Sequence, residues 1–110
     1  MGYLVYDSST KVTFDDRLLA HLEIVIVSKL RRRECFAMSW RESSENGSGR
    51  STLWLDPSIP LRFRFEGSRQ PTVNREWVER LATSAAGASG LLVTDEDGEI
   101  ASGSTQDRSG

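Results

Sequence analysis

The chain of 110 residues has one cysteine, Cys35, and one histidine, His21. A lone cysteine excludes an intrachain disulfide and suits a reducing cytoplasm, where the protein is expected to reside. With one Cys and one His, a zinc site of the usual kind cannot be assembled within the chain, and no metal or other cofactor is predicted. No apolar run approaches the ~18 residues of a membrane span, so no membrane association is predicted. The opening Met1-Gly2-Tyr3-Leu4-Val5-Tyr6 lacks a basic segment and a long apolar one, which argues against a signal peptide. Tyr6 stands where a myristoylation signal wants Ser or Thr, so a lipid anchor is unsupported as well. Lysine is scarce: of 14 basic residues, 12 are arginine and two are Lys11 and Lys29.

What is present is the composition of one globular domain, 37% hydrophobic and 27% charged. The net charge of −2 is unevenly spread, because Asp95, Glu96, Asp97, Glu99 and Asp107 face only Arg108 in the last sixteen residues. That acidic segment ends in a Ser/Gly-rich stretch without periodicity. The sequence therefore predicts a single domain over 1–94 and a disordered tail over 95–110.

Two β-rich runs, Tyr3 to Tyr6 and Lys11 to Phe14, flank a turn composition and predict an opening hairpin. Asp15 is placed to cap a helix running from Asp16 to Arg33, with Leu18, Leu19, Leu22, Val25, Ile26 and Leu30 on one face. Its β-branched stretch Leu22 to Val27 is the argument for a strand; the cap and the long stripe favour helix. Ala20, Ile24 and Val27 fall almost opposite that stripe, where an exposed helix would carry charge. Either a second element buries them or they meet another copy of the chain, which makes them candidate dimer-interface residues.

Cys35 to Arg41 and Arg50 to Asp56 alternate as strands around a Gly/Ser/Asn-rich hairpin loop. Leu61-Arg62-Phe63-Arg64-Phe65 alternates as a half-buried strand. A second helix is predicted to start after Asn74 and to bury Trp77, Val78, Leu81 and Ala82, followed by a strand from Leu91 to Thr94. The predicted fold class is α+β, a mainly antiparallel sheet with two helices in the order ββ-α-βββ-α-β.

Phe14-Asp15-Asp16-Arg17, Leu30-Arg31-Arg32-Arg33-Glu34, Phe36-Ala37-Met38-Ser39-Trp40, Gly49-Arg50-Ser51-Thr52-Leu53-Trp54-Leu55 and Pro60-Leu61-Arg62-Phe63-Arg64-Phe65 occur together here. In combination they resemble a family of short actinobacterial proteins of unknown function, many of which carry the automatic label "ATP-dependent DNA ligase". The resemblance spans roughly residues 1–94. Ligase chemistry needs a lysine in a Lys-x-Asp-Gly motif, whereas Lys11 precedes Val12-Thr13-Phe14 and Lys29 precedes Leu30-Arg31-Arg32. The resemblance thus transfers no catalytic residue and implies at most a DNA-associated accessory piece.

No other catalytic set stands out. Cys35 beside Phe36 reads as a buried inert thiol, away from His21 on a helix flank. Asp15-Asp16 reads as helix capping, the Asp95 to Glu99 stretch as a solvated acidic turn, and Gly47-Ser48-Gly49-Arg50 as a hairpin loop without the Walker lysine. The remaining candidate is a sheet face. If the strands align, Arg41, Arg50, Arg62 and Arg64 surround Trp54, and guanidinium groups with an exposed aromatic are the means by which single-strand binders hold phosphates and bases. The bland counterpart is a solvated face with Trp54 stacked beneath arginines. The sequence thus predicts a small non-catalytic binding module, DNA-associated through that face with weak nucleic-acid binding; the alternative is a homodimeric interaction or scaffold domain that binds no nucleic acid.

Overall fold

The computed structural model describes residues 1–107. Strand β1 (Gly2–Tyr6) turns into β2 (Thr10–Phe14) through Asp7 and Ser8, both left-handed, at φ 52° and 59°. This mirror-image turn matches the twist of paired strands. Helix α1 (Asp16–Arg31) follows, with the Asp15 carboxylate accepting from the Leu18 N–H at 3.4 Å. Leu18, Leu19, Leu22, Val25 and Ile26 are buried along it, as the stripe predicts, and the helical reading of Leu22 to Val27 holds.

Strands β3 (Phe36–Glu42) and β4 (Arg50–Leu55) form the second hairpin. The loop between them is built, not loose: a 3₁₀ turn over Ser44–Asn46 ends at Gly47, whose φ of 90° suits glycine. Strand β5 (Leu61–Arg64), helix α2 (Arg75–Ala86) and the short β6 (Leu91–Leu92) complete the predicted order. Asn74 caps α2 by accepting from the Trp77 N–H at 3.3 Å.

Two sequence expectations are corrected. The first is the tail. Residues 94–100 turn back on themselves, with Thr94 bridged to Ile100 and Gly98 at φ 86°, and Ser102–Asp107 forms a seventh strand, β7. Residues 108–110 of the expected tail lie outside the described residues. β7 fills the middle of the sheet, whose order is β4-β3-β7-β2-β1-β5, with β6 also paired to β3. Its first residues run parallel to β3 at Arg41↔Ser102 and Glu42↔Gly103, and its later ones antiparallel to β2 from Thr13↔Ser104 to Thr10↔Asp107. Composition misled because this strand buries no large apolar side chain; what it contributes is backbone pairing and a glycine in a tight place.

The second correction concerns β5. It pairs with β1, not β4, in the register Tyr3↔Arg64 to Tyr6↔Leu61. The connection Asp56–Pro60 ties into a local turn, with Asp56 Oδ1 accepting from the Ser58 N–H and hydroxyl. The chain then docks on the first hairpin, the Pro60 carbonyl accepting from the Asp7 N–H at 3.0 Å.

Both helices lie on one face of the sheet over Leu4, Val12, Phe14, Phe36, Met38 and Trp40. The sheet is curved around them. β4 and β1 stand four places apart in the order, about 19 Å if the sheet were flat at ~4.8 Å per strand. Yet the Tyr6 hydroxyl reaches the Trp54 carbonyl at 2.7 Å. The helix side is therefore concave and the opposite side broadly convex, interrupted by a cleft of about 550 Å³ among Tyr3, Val5, Lys11, Arg62 and Gln106.

Candidate nucleic-acid interface

Alternation along each strand decides which side chains reach the convex face. Arg50, Thr52 and Trp54 of β4 lie beside Arg41, Ser39 and Ala37 of β3, pair by pair. Ser102, Ser104 and Gln106 follow on β7, then Lys11 and Thr13, Tyr3 and Val5, and finally Arg62 and Arg64 at the β5 edge. Among the described residues no outward-pointing strand residue is a carboxylate, although Asp107 at the end of β7 borders a cleft that Lys11 and Arg62 line. Five cations thus share one face of a chain whose net charge is −2. Lys11, which the sequence reading passed over, belongs among them and sits 4.3 Å above the Tyr3 ring. The alternation of Lys11 and Thr13 against Val12 and Phe14 was the available signal.

All five sequence candidates are on this face, but they do not form one ring. Arg41 and Arg50 stand directly opposite each other on paired strands. Trp54 is two outward positions further along β4, with 55% of its surface exposed. Arg62 and Arg64 lie at the other edge of the hydrogen-bonded order, although curvature brings the Trp54 end of β4 near the Leu61 end of β5, where Tyr6 spans between them. Among the described residues none of these four arginines makes an ion pair, and no cation covers the Trp54 ring. Like charges directly opposed across a strand pair are unfavourable. Edge strands often carry cations to discourage aggregation, which accounts for Arg50, Arg62 and Arg64. It does not account for Arg41, which is on an interior strand.

The concave side holds two carboxylates fixed by different means. Glu42 follows Trp40 on the inward face of β3 and is 7% exposed. Burial would raise its pKa, but hydrogen bonds from Ser51, Thr105, Asn46 and the Thr105 N–H outweigh that and hold it at about 2. The Trp40 indole N–H adds a further bond at 2.9 Å. Glu96 lies on the helix side, where the Arg17 guanidinium grips both of its oxygens at 2.8 and 2.6 Å and Asn74 donates at 3.0 Å. Its pKa is held at about 2, first by the Arg17 hydrogen bonds and then by Asn74. Glu96 is therefore committed to Arg17 and Asn74, and Asp95 to the N–H groups of Asp97 and Glu99 in its own turn.

The remaining candidates sort plainly. His21 is fully buried, its Nδ1 against the Arg17 carbonyl at 2.7 Å, while the Asn74 N–H donates to Nε2 at 2.9 Å. It stacks on Trp77 at 4.3 Å, so it is a satisfied core residue. Cys35 is exposed, contrary to the expectation of burial. Desolvation, followed by the Asp56 carboxylate, raises its pKa. Because the thiolate is the reactive form, alkylation of Cys35 by iodoacetamide at pH 7.5 (about one unit below an ordinary thiol) is expected to be slower than that of a free cysteine peptide, and Asp56→Asn to speed it. A rate equal to the free peptide's would contradict this placement. Asp16 accepts from the Glu66 and Gly67 N–H groups and anchors the β5 exit.

Ala20, Ile24 and Val27 are not covered by α2. It packs on the neighbouring flank of α1, through Trp77 on His21, and leaves Ile24 and Val27 39% and 42% exposed. Among the described residues no helix is long and apolar enough to cross a membrane.

Fold and face together define a small two-layer α+β domain with a cation-rich sheet surface. The chain belongs to the family of the domain of unknown function DUF7882, whose family model matches residues 1–96 and so ends before β7. No curated protein matches the chain, and no solved structure matches it.

Proposed function

We propose that the domain is a binding module for single-stranded nucleic acid, engaged through the convex face of the sheet. The observation that carries this reading is the opposition of Arg41 and Arg50, unpaired among the described residues, beside the exposed ring of Trp54. A phosphate between the two guanidinium groups would relieve their repulsion, and a base stacked on Trp54 would cover its open face. Lys11, Arg62 and Arg64 extend the positive surface across the sheet. Curvature favours a single strand: a flexible chain drapes over a convex surface, whereas a duplex is itself convex and would touch it along a narrow line. Contacts of this type are sequence-tolerant.

The test is fluorescence anisotropy of the full chain with a labelled oligonucleotide at two salt concentrations. Affinity should fall with salt by a slope of about −0.7 per phosphate contacted, and Arg41→Ala with Arg50→Ala, which together hold one phosphate, should flatten it by about 0.7. Trp54→Ala should cost roughly 1–3 kcal/mol and leave the slope unchanged. No binding at low salt would reduce the face to a solvated surface.

A second reading, self-association, is favoured by the uncovered stripe Ala20, Ile24 and Val27. It is independent of the first, because the stripe lies on the helical side of the domain.

A further inference from the structure

Resting on the self-association reading and going beyond it, we propose that the occupant of this stripe is α1 of a second copy, in antiparallel two-fold pairing, so that the two cationic sheet faces point away from each other. The stripe borders a groove of about 520 Å³ that runs between the first half of α1 and the loop after β5, lined by Ala20, Ile24, Phe65, Pro71 and Val73. These apolar residues are bordered by charges of both signs, Asp15, Asp16 and Glu23 with Arg17 and Arg69. The other end of the same helix is basic, with Arg31, Arg32 and Arg33 exposed. Among the described residues Arg31 and Arg33 have no ion-pair partner, while Arg32 meets Glu34 at 3.2 Å.

This division of charge selects the direction of pairing. An antiparallel arrangement sets Asp15, Asp16 and Glu23, whose neighbour Arg17 is already paired with Glu96, against the partner's arginine-rich end, and it opposes the helix dipoles favourably. A parallel arrangement would set acid against acid and arginine against arginine. A two-fold axis near Ile24 makes one patch serve both copies, which is the self-complementarity a closed dimer needs. The stripe points away from the sheet that the opposite face of α1 covers. The dimer is therefore layered sheet, helix, helix, sheet, with each Arg41–Arg50–Trp54 set on an outer surface. Such a dimer holds two strands apart and bridges them; it cannot close both faces on one.

Light scattering of the full chain at micromolar concentration should give twice the mass of one chain. Ile24→Glu, at an exposed position, should give a monomer with an unchanged circular dichroism spectrum. Direction is read by oxidation in a Cys35→Ser background. Ile24→Cys near the axis should form a disulfide-linked dimer, whereas Arg31→Cys should not, because its two copies stand about 21 Å apart along the helices at 1.5 Å per residue. A wild-type monomer overturns this proposal together with the self-association reading. A dimer that survives Ile24→Glu, or one in which Arg31→Cys cross-links readily, overturns this proposal and leaves self-association standing.

Discussion

Glu42→Gln is expected to lower stability by about 3 kcal/mol at pH 7, which for a domain near this size lowers the melting temperature by roughly 12–24 °C. Glu42 takes five hydrogen bonds from β3, β4, β7 and the 3₁₀ turn, from Trp40, Ser51, Thr105 through both hydroxyl and N–H, and Asn46. An amide of the same shape has one acceptor oxygen and turns two N–H donors toward groups that are themselves donors. The pH dependence follows from linkage. The carboxylate's pKa falls from 4.5 to about 2 on folding, so its contribution is complete above ~4.5 and fades as pH drops toward 2. By pH 3 roughly half of it should be gone, and the gap between wild type and Glu42→Gln should narrow accordingly. Glu96, held low by Arg17, acts in the same direction and deepens the acid sensitivity of the wild type. Urea titrations of both chains at pH 7 and pH 3 measure the gap. An equal gap at the two values would mean that Glu42 is not ionised in its cluster.

Which parts of this fold were legible follows from which residues signal locally. The cap at Asp15 and the stripe from Leu18 to Leu30 are both local, and α1 is found where they put it. The alternation Arg62-Phe63-Arg64 likewise assigns each side chain to a face, and all five candidates of the binding face are on the expected side. Alternation cannot say which strand lies next door. The approach of β5 to β1 depends on a turn at Asp56 and on the Asp7–Pro60 bond, neither of which has a periodic signature. Hence the face was legible and the ring around Trp54 was not. Glu42 continues the inward series Phe36, Met38, Trp40 on β3, one residue beyond the strand that the sequence ends at Arg41. Charge argued for solvent there, and only the donors gathered from β4, β7 and the turn reverse that argument.

Ending the chain after Ala101 should abolish cooperative unfolding, although the sequence places residues 95–110 in a disordered tail outside the domain. Without β7 the interior edges of β2 and β3 lose their ladder partners, and the sheet separates into β4-β3-β6 and β2-β1-β5. Glu42 would also lose both Thr105 donors and be left as a buried, under-paired charge, which is among the costlier defects a small domain can carry. A point substitution isolates the packing part of this argument. A Cβ on Gly103 would stand 2.6 Å from Phe14 Cε1 and 2.9 Å from Trp40 Cδ1. Those two rings meet edge to face at 5.8 Å, so neither can retreat without disturbing the other. Gly103→Ala should therefore cost about 1–3 kcal/mol, with Gly103→Val at or above the upper end. Gln106→Ala, outward on the same strand, should stay within about 0.5 kcal/mol of wild type. Thermal unfolding followed by circular dichroism compares these four variants with wild type. A chain ending at Ala101 that melts cooperatively at the wild-type temperature would show that β7 rests on the sheet without holding it together, and a harmless Gly103→Val would show that Phe14 and Trp40 leave more room than their ring contact implies.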